Sequence, residues 1–424
     1  MKLSIENFAK IKRADIELNG ITIIAGENDS GKSTVGKVLA TVFSGFHNVN
    51  EYSRDERYLA LAQVLLLAIK THKDSQIKNI KESLNFSLKQ VDLYVALSKY
   101  ELQDVKSTML LFQEIALDKY DVDIKLDRVM FGRLTAQVEE ILSLTYKDII
   151  TKRLEAECDM VFYNQINSLY NADEAIISLF VQGKNIKASF MGNECTAIDY
   201  EISLQHNVIY ISNPYLIDYS CDAVSDKESL AKDLIEKIKH KKNNYLLNDI
   251  IHRKNIQQFL DKLVEMIPGQ FVDKDDDLYL SYEGMREAIN VKNLSVGVKA
   301  FAIIKRLLEN GWLEENGVLI FDEPEIHVHP KWQVVFAEII VLLQKHFNMT
   351  ILLTTHSPYF INALEVYSVK YGINDVLTSY LSNFEGNMVV FENVTKNMDK
   401  AYSLLAEPFN ELEDLRFSLG MDKL

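Results

Sequence analysis

The sequence predicts an α/β fold that is interrupted by a mainly helical insertion. An apolar strand pattern, ITIIA at 21–25, runs directly into a glycine-rich loop and then an apolar helix. A second apolar strand pattern, VLIFD at 318–322, ends in a carboxylate. Between them, residues 52–170 hold one glycine and no proline and carry apolar residues at long period, which predicts helices throughout.

The other elements follow from local patterns. Residues 2–25 read as three short strands, and Asn19-Gly20 predicts a tight hairpin turn before the third. The later elements are predicted as strands over 175–211, a helical stretch over 230–266, strands over 270–291 and a helix over 295–310. The α/β pattern therefore resumes after the helical middle, as expected for an insertion inside one domain.

Composition limits the class of protein. The chain has 424 residues, a net charge of −15 and a sequence pI near 5.2, which argues against general nucleic-acid binding. Cys158, Cys195 and Cys221 are widely spaced, so neither a CxxC pair nor a disulfide framework is expected, and a reduced cytoplasmic compartment fits best. The most apolar run, 58–69, is too short to span a bilayer, so no membrane partner is expected.

A phosphate-binding loop is predicted at GENDSGKS, residues 26–33, which matches GxxxxGK[ST] between a strand and a helix. Backbone N–H groups of such a loop surround a β-phosphate. Lys32 would reach the β- and γ-phosphates, and the Ser33 hydroxyl would ligate Mg²⁺. The predicted ATP-binding residues are Gly26, Glu27, Asn28, Asp29, Ser30, Gly31, Lys32, Ser33 and Thr34.

The motif DEPEIHVHP, residues 322–330, allows two interpretations. In the first, Asp322 holds Mg²⁺ together with Ser33, and Glu323 polarises the attacking water. In the second, His327 and His329 form a transition-metal site with the nearby carboxylates. The phosphate-binding loop favours the first, and Pro330 before a helical pattern predicts that the histidines belong to a turn.

Two further motifs narrow the class. NLSVG places Leu294, Ser295 and Gly297 at a predicted helix start, and ILLTTHSP places His356 at the end of an apolar strand. Four motifs in this order resemble the ABC-type ATPases of the SMC, RecF and OLD (overcoming lysogenisation defect) group. ENFAKIKRADIEL and DEPEIHVHP are most similar to the stand-alone OLD-like ATPases of bacterial anti-phage systems, Septu-type and retron-associated. The resemblance covers residues 1–43 and 210–363.

The resemblance implies a P-loop NTPase of ABC-ATPase type that hydrolyses ATP with Mg²⁺. It implies a homodimer or higher homo-oligomer, in which Leu294, Ser295 and Gly297 of one chain face the γ-phosphate bound by the other. Glu323 and His356 would be catalytic. The predicted segments are an N-terminal ATPase part with the P-loop (1–50), a helical insertion (51–172), a C-terminal ATPase part (173–365) and a C-terminal segment with a possible partner-docking helix (366–424).

The departures from relatives limit the function. The insertion lacks the CxxC hook of Rad50-like proteins, and the 68 residues after His356 (424 − 356) are too few for the Toprim domain of OLD nucleases, so no nuclease activity is expected in this chain. The sequence thus predicts an ATPase that controls a separate effector, a nuclease or toxin, in anti-phage defence. The alternative is a RecF/SMC-like ATPase of DNA repair that binds DNA directly.

Overall fold

The structure is a computed structural model, and it describes residues 1–76, 86–102, 104–120, 128–225, 228–242, 263–264, 268–275, 277–326 and 328–419. Two compact units are present. The first combines Met1–Gly45 with Leu154–Leu424, and the second is Phe46–Arg153. Much of the helical stretch predicted over 230–266 lies outside the described residues.

The first unit contains the described strands. In chain order they are β1 (Lys2–Phe8), β2 (Ile11–Glu17), β3 (Ile21–Ala25), β4 (Ala175–Val181), β5 (Lys184–Met191), β6 (Glu194–Tyr200), β7 (Val208–Ile211), β8 (Gln270–Lys274), β9 (Asp277–Ser281), β10 (Ile289–Asn290), β11 (Val318–Asp322), β12 (Thr350–Thr355), β13 (Leu377–Glu385) and β14 (Met388–Asn393).

The described helices follow the predicted pattern of a helical middle and flanking α/β parts. They are α1 (Lys32–Phe46), α2 (Val49–Gln76), α3 (Phe86–Leu97), α4 (Val105–Tyr120), α5 (Arg128–Ser143), α6 (Tyr146–Phe162), α7 (Ser229–Lys239), α8 (Val296–Glu309), α9 (Pro330–Phe347), α10 (Pro358–Tyr371) and α11 (Asp399–Ser418).

Eleven of the described strands form one sheet, in the order β6-β5-β4-β1-β2-β14-β13-β3-β12-β11-β7. The strands from β13 to β7 run parallel to one another, whereas neighbours among β1, β2, β4, β5 and β6 pair antiparallel. Strand β14 joins the two parts, antiparallel to β13 and parallel to β2. Because β3, β11 and β12 are parallel neighbours, the loops that follow them meet at one edge of the sheet, where α/β proteins place their ligands. The predicted α/β class is confirmed.

The predicted hairpin at Asn19-Gly20 is wrong. Strand β3 pairs with β12 and β13, and the β13–β14 hairpin lies between β3 and β2. Gly20 has a φ of 64°, and a Cβ there would lie 2.7 Å from Val376, so the chain needs glycine where it crosses to β13. An Asn-Gly pair predicts a local turn, but it carries no information on strands more than 350 residues away in sequence.

The C-terminal segment contributes to the main sheet. Strands β13 and β14 lie next to β3 and β2, so the segment predicted over 366–424 supplies two inner strands besides its final helix. Residues of both strands are buried, among them Tyr380 of β13 and Val389 of β14. The sheet that carries the phosphate-binding loop is therefore incomplete without residues beyond 365.

The second unit is helical. It has its own buried core from α2, α3, α4 and α5, which includes Leu61, Leu65, Phe112 and Val138. Its limits, 46–153, differ from the predicted 51–172, and its C-terminal limit falls within α6. The apolar run at 58–69 is part of α2. None of the helices in the described ranges has the length and apolarity needed to cross a membrane.

Aromatic packing fixes the strand that leads to the carboxylates. Phe321 of β11 contacts Phe336 of α9 edge to face, with ring centroids 5.5 Å apart. Phe336 in turn packs against Phe301 of α8 at 5.1 Å. All three side chains are buried. Edge-to-face aromatic pairs contribute about 0.5–1.5 kcal/mol each beyond their burial, so the end of β11 is held firmly in place.

Candidate functional site

The loop after β3 has the backbone that a phosphate cradle requires. Gly26, Asp29 and Gly31 have φ values of 151°, 60° and 74°, a conformation that glycine adopts freely and aspartate tolerates better than most residues. Helix α1 begins directly after the loop, at Lys32. Asp29 also forms a salt bridge with Lys10, from the turn between β1 and β2.

The Lys32 ammonium is folded into this loop. The residue is 3% exposed, and Nζ donates to the Glu27 carbonyl at 2.6 Å. Burial lowers the pKa of Lys32, while the carboxylates of Glu323 and Asp322 act to raise it. Glu27 and Asn28 are exposed beside it, and Thr34 is half-buried in α1. The cation therefore lies among the residues that would hold a nucleotide.

Ser382 of β13 contacts the phosphate-binding loop, and this contact was not predicted from the sequence. Its Oγ donates to Ser30 Oγ at 2.6 Å and lies 3.3 Å from the Ala25 carbonyl oxygen. A Cβ at Gly26 would come within 1.8 Å of Ser382 Oγ, so only glycine fits there. A serine 352 residues beyond Ser30 carries no local signal, and only the strand order reveals the contact.

Three hydroxyl groups hold Asp322 at the end of β11. Ser33 Oγ donates to Oδ1 at 2.8 Å, Thr354 Oγ1 donates to Oδ1 at 2.6 Å, and Tyr210 OH donates to Oδ2 at 2.7 Å. Burial, with Asp322 close by, raises the pKa of Tyr210 well above its usual range, so this phenol remains a donor. Tyr210 and Thr354 were not predicted, because each is an ordinary residue of a buried strand.

The donor set fits Mg²⁺. The Ser33 hydroxyl and the Asp322 carboxylate are hard oxygen ligands, and Oγ and Oδ1 lie within 2.8 Å of each other. Few protein ligands suffice for this ion when phosphate oxygens and water complete its octahedron. The contacts from Tyr210 and Thr354 are the kind of second set of hydrogen bonds that orients a metal-binding carboxylate.

Glu323 and His356 form the next pair. His356 Nε2 lies 2.7 Å from Glu323 Oε1, and both side chains are about a quarter exposed, at 27% and 23%. Glu323 has a φ of 52°, a strained conformation for a residue other than glycine. Its N–H points to Thr354, with Oγ1 at 3.1 Å and the carbonyl oxygen at 3.2 Å. The loop after β11 is thus tied to β12.

Of the two histidines that follow Glu323, the structure describes one. His329 is exposed and caps α9, since its Nδ1 accepts from the Lys331 N–H at 3.2 Å. His327 lies outside the described residues. Within the described ranges, no group of three or more His, Cys, Asp or Glu side chains is arranged to hold a metal ion. His329 is thus the N-cap residue of α9, at the turn that leads into this helix.

The predicted signature segment, residues 294–297, lies at the start of α8. Ser295 is the exposed N-cap residue of α8, and its hydroxyl makes no capping hydrogen bond. A Cβ at Gly297 would meet nothing within 4 Å, so open space lies in front of the helix start. Leu294 is half-buried. Both segments are fully described, and no hydrogen bond or salt bridge joins 294–297 to 26–34 within the chain.

Comparison with protein families gives a clear match. Residues 1–361 match the model of the family described as "AAA ATPase domain". This match covers most of the chain and includes the phosphate-binding loop, the signature, the carboxylates and His356. The chain therefore belongs to this family, and the resemblance to ATPases that the motifs predicted is confirmed.

One curated relative and two solved structures illustrate what the chain is similar to. The chain is 30% identical over 171 residues to the "Retron Vc95 probable ATPase" of Vibrio cholerae serotype O1 biovar El Tor, a match that covers 36% of the chain and 32% of that relative. The SMC head domain from Thermotoga maritima gives a TM-score of 0.40 at 10% identity, over 93% of this chain and 98% of that one. An Smc head bound to the C-winged helix domain of ScpA also gives 0.40 at 10%, over 92% and 97%.

Proposed function

Starting from a chain of the AAA ATPase domain family, we propose an ATPase that dimerises head-to-tail around ATP and thereby controls a separate effector protein. One observation carries the proposal. Asp322 accepts a hydrogen bond from Ser33 of the phosphate-binding loop, and the charges of Asp322 and Glu323 act on Lys32, whereas Ser295 is exposed and its hydroxyl makes no capping contact. One chain thus supplies most of an ATPase site and also a signature that suits a second copy.

The residues of the loop would bind the phosphates. Lys32 Nζ exchanges its hydrogen bond to the Glu27 carbonyl for the β- and γ-phosphate oxygens, which are stronger acceptors because they are charged. Ser33 and Asp322 would hold Mg²⁺, which when bound offsets charge on the β- and γ-phosphate oxygens. Tyr210 and Thr354 keep the Asp322 carboxylate in the orientation that this requires.

Glu323 is the proposed general base. Its carboxylate orients the attacking water and accepts the proton as the oxygen of the water bonds to the γ-phosphorus, while the bond from the γ-phosphorus to the oxygen shared with the β-phosphate breaks and ADP leaves. His356, at 2.7 Å, holds this carboxylate in place. Glu323 has a positive φ, and a strained backbone at such a site fits a functional role.

The second copy would complete the site. A helix N-terminus with a serine at its cap binds anions, since its first N–H groups have no partner within the helix and the helix dipole is positive there. Ser295 at the start of α8 has this geometry, together with open space beside Gly297. In a head-to-tail dimer each γ-phosphate then lies between the loop of one chain and the α8 start of the other.

The proposal also includes a separate effector protein that the ATPase controls. The relative from Vibrio cholerae is named a retron ATPase, which supports a role in anti-phage defence beside a separate nuclease or toxin. The net charge of −15 supports a protein effector over DNA as the partner. A salt-dependent affinity of the purified chain for duplex DNA would instead support the alternative, a DNA-repair ATPase.

The test uses Glu323→Gln. The amide cannot accept the proton from water, so the variant should bind ATP, hydrolyse it at least about 100-fold more slowly, and accumulate as an ATP-loaded dimer on a sizing column. Lys32→Ala is the matched variant and should stay monomeric with ATP.

The effector is tested by purifying tagged Glu323→Gln and Lys32→Ala chains from the native host. The two variants should retain an effector nuclease or toxin to different extents. A Glu323→Gln chain that hydrolyses ATP like the parent contradicts the proposal.

A further inference from the structure

Glu325, three residues after the proposed Mg²⁺ ligand, is a buried carboxyl group without an assigned role. It is 8% exposed, although glutamate is rarely buried without a charged partner. No salt bridge to Glu325 is present in the described part of the chain, and burial raises the pKa of its carboxyl group. A residue kept in so unfavourable a place has a structural or functional reason.

The Glu325 carboxylate holds the segment that carries His356. Its Oε1 accepts from Thr355 Oγ1 at 2.6 Å and from the His356 backbone N–H at 2.7 Å. Glu325 lies in the loop after β11, whereas Thr355 and His356 lie at the end of β12. One oxygen atom therefore joins the two loops whose side chains meet at the Glu323–His356 contact.

Gln333 of α9 adds a second bridge between the same loops. Its Nε2 donates to the Val328 carbonyl at 3.0 Å, and its Oε1 accepts from Ser357 Oγ at 2.8 Å. Gln333 is itself buried, at 9% exposed. The segment that carries His356 is thus held on both sides, by Glu325 at the His356 N–H and by Gln333 at the Ser357 hydroxyl.

We propose that Glu325 is a positioning residue for His356, which it holds within hydrogen-bond distance of Glu323. This inference rests on the proposed function, because it assigns a partner to the general base. Glu325 does not touch the reacting atoms. Its effect on hydrolysis passes through the 2.7 Å contact between His356 Nε2 and Glu323 Oε1, and small misplacements of such groups slow reactions strongly.

The test is a double-mutant cycle on ATP hydrolysis. Glu325→Ala should lower kcat about 10- to 100-fold with little change in KM, because the phosphate-binding loop is untouched. Glu325→Gln should restore much of the rate, since an amide oxygen accepts the same two hydrogen bonds. In a His356→Ala background, Glu325→Ala should cost almost nothing further, because residues that act through one contact are not additive.

Glu338 provides the matched control. It is a buried carboxyl group of α9, 7% exposed, and its Oε1 accepts from Lys370 Nζ at 3.0 Å, away from the site. Glu338→Ala should lower thermal stability and should change kcat by the same factor with or without His356. Should Glu325→Ala fail to fold, Glu325→Asp, which withdraws the oxygen by one methylene group, replaces it in the cycle.

The outcomes separate two failures. If the parent hydrolyses no ATP, or Lys32→Ala hydrolyses it equally well, the proposed function fails. If the parent is active but Glu325 and His356 variants multiply their effects, or His356→Ala leaves kcat unchanged, this inference alone is overturned. A Glu325→Gln variant as slow as Glu325→Ala would also overturn it, because the hydrogen bonds would then not explain the loss.

Discussion

The carboxylate cluster (Ser33, Asp322, Glu323 and His356) and the signature segment (294–297) differ in how their polar groups are engaged. Each side chain of the cluster has a hydrogen-bond partner at 2.6–2.8 Å within the chain. In the signature segment, Ser295 is exposed and its hydroxyl makes no capping contact.

This difference supports the proposed division of the site between two chains. Groups that must act at fixed geometry are already held in place by their own fold, which limits the reorganisation needed at reaction. A helix start that is ready for an anion, yet not joined to the phosphate-binding loop of its own chain, suits a ligand presented by another molecule. The following variants break or sharpen this contrast, from the largest expected effect to the smallest.

Lys32→Ala should have the largest effect, because it removes the side-chain cation of the phosphate cradle. We expect ATP turnover to fall at least about 100-fold, with ATP binding lost in calorimetry. Lys12→Ala is the control, since Lys12 is exposed and pairs with Glu385 instead. Unchanged turnover in Lys32→Ala would reject the phosphate-binding role of residues 26–33.

Ser295→Arg should come next. It places bulk and charge where the signature segment would meet the partner's γ-phosphate, so hydrolysis should fall about 100-fold while ATP binding to each monomer stays nearly unchanged. Ser98→Arg, an exposed position on the helical unit, controls for the added charge. If Ser295→Arg hydrolyses ATP at the parental rate, the signature segment has no part in the reaction.

Tyr210→Phe should have a moderate effect. It removes the hydroxyl that donates to Asp322 Oδ2 and leaves the ring in place, so the Mg²⁺ concentration for half-maximal activity should rise about 10-fold. Tyr402→Phe is the control, because that hydroxyl donates to Glu365 elsewhere in the unit. A Mg²⁺ titration that matches the parental one would show that Asp322 needs no support from Tyr210.

Chelation of zinc should have the smallest effect. With Mg²⁺ in excess, a zinc-selective chelator should leave hydrolysis unchanged, because Ser33 and Asp322 offer the hard oxygen ligands that Mg²⁺ prefers. Removal of Mg²⁺ should stop the reaction. Activity that is lost to the chelator and restored by a transition metal alone would support a metal site at His327 and His329.

The sequence predicted those parts of the site that form short, continuous motifs. Residues 26–33 and 322–323 have spacings that only a few chemistries require, so their meeting at one sheet edge could be predicted. Tyr210, Thr354 and Ser382 could not be found in this way. Each comes from a different strand, and its residue type is common, so its place beside Asp322 or the loop follows only from the strand order.

The wrong hairpin prediction has the same cause as the site residues that were not predicted. The hairpin predicted at Asn19-Gly20 is absent because β13 and β14, from the far end of the chain, lie between β2 and β3. Local patterns identified the strands themselves in most of the chain, since alternation and turn residues are local signals. Strand order depends on contacts between distant segments, and a single sequence does not encode these in any short motif.

The most direct test of the shared site uses two copies linked covalently into one chain. In the separated arrangement, one copy carries Lys32→Ala and the other Ser295→Arg, so a head-to-tail dimer retains one intact loop facing one intact signature segment. In the combined arrangement, both changes lie in the same copy, and every shared site then has a defect. We predict that the separated arrangement hydrolyses ATP at up to about half of the linked parental rate and that the combined arrangement is inactive. Hydrolysis by the combined arrangement, with none by the separated one, would contradict the account, because each chain would then contain a complete site.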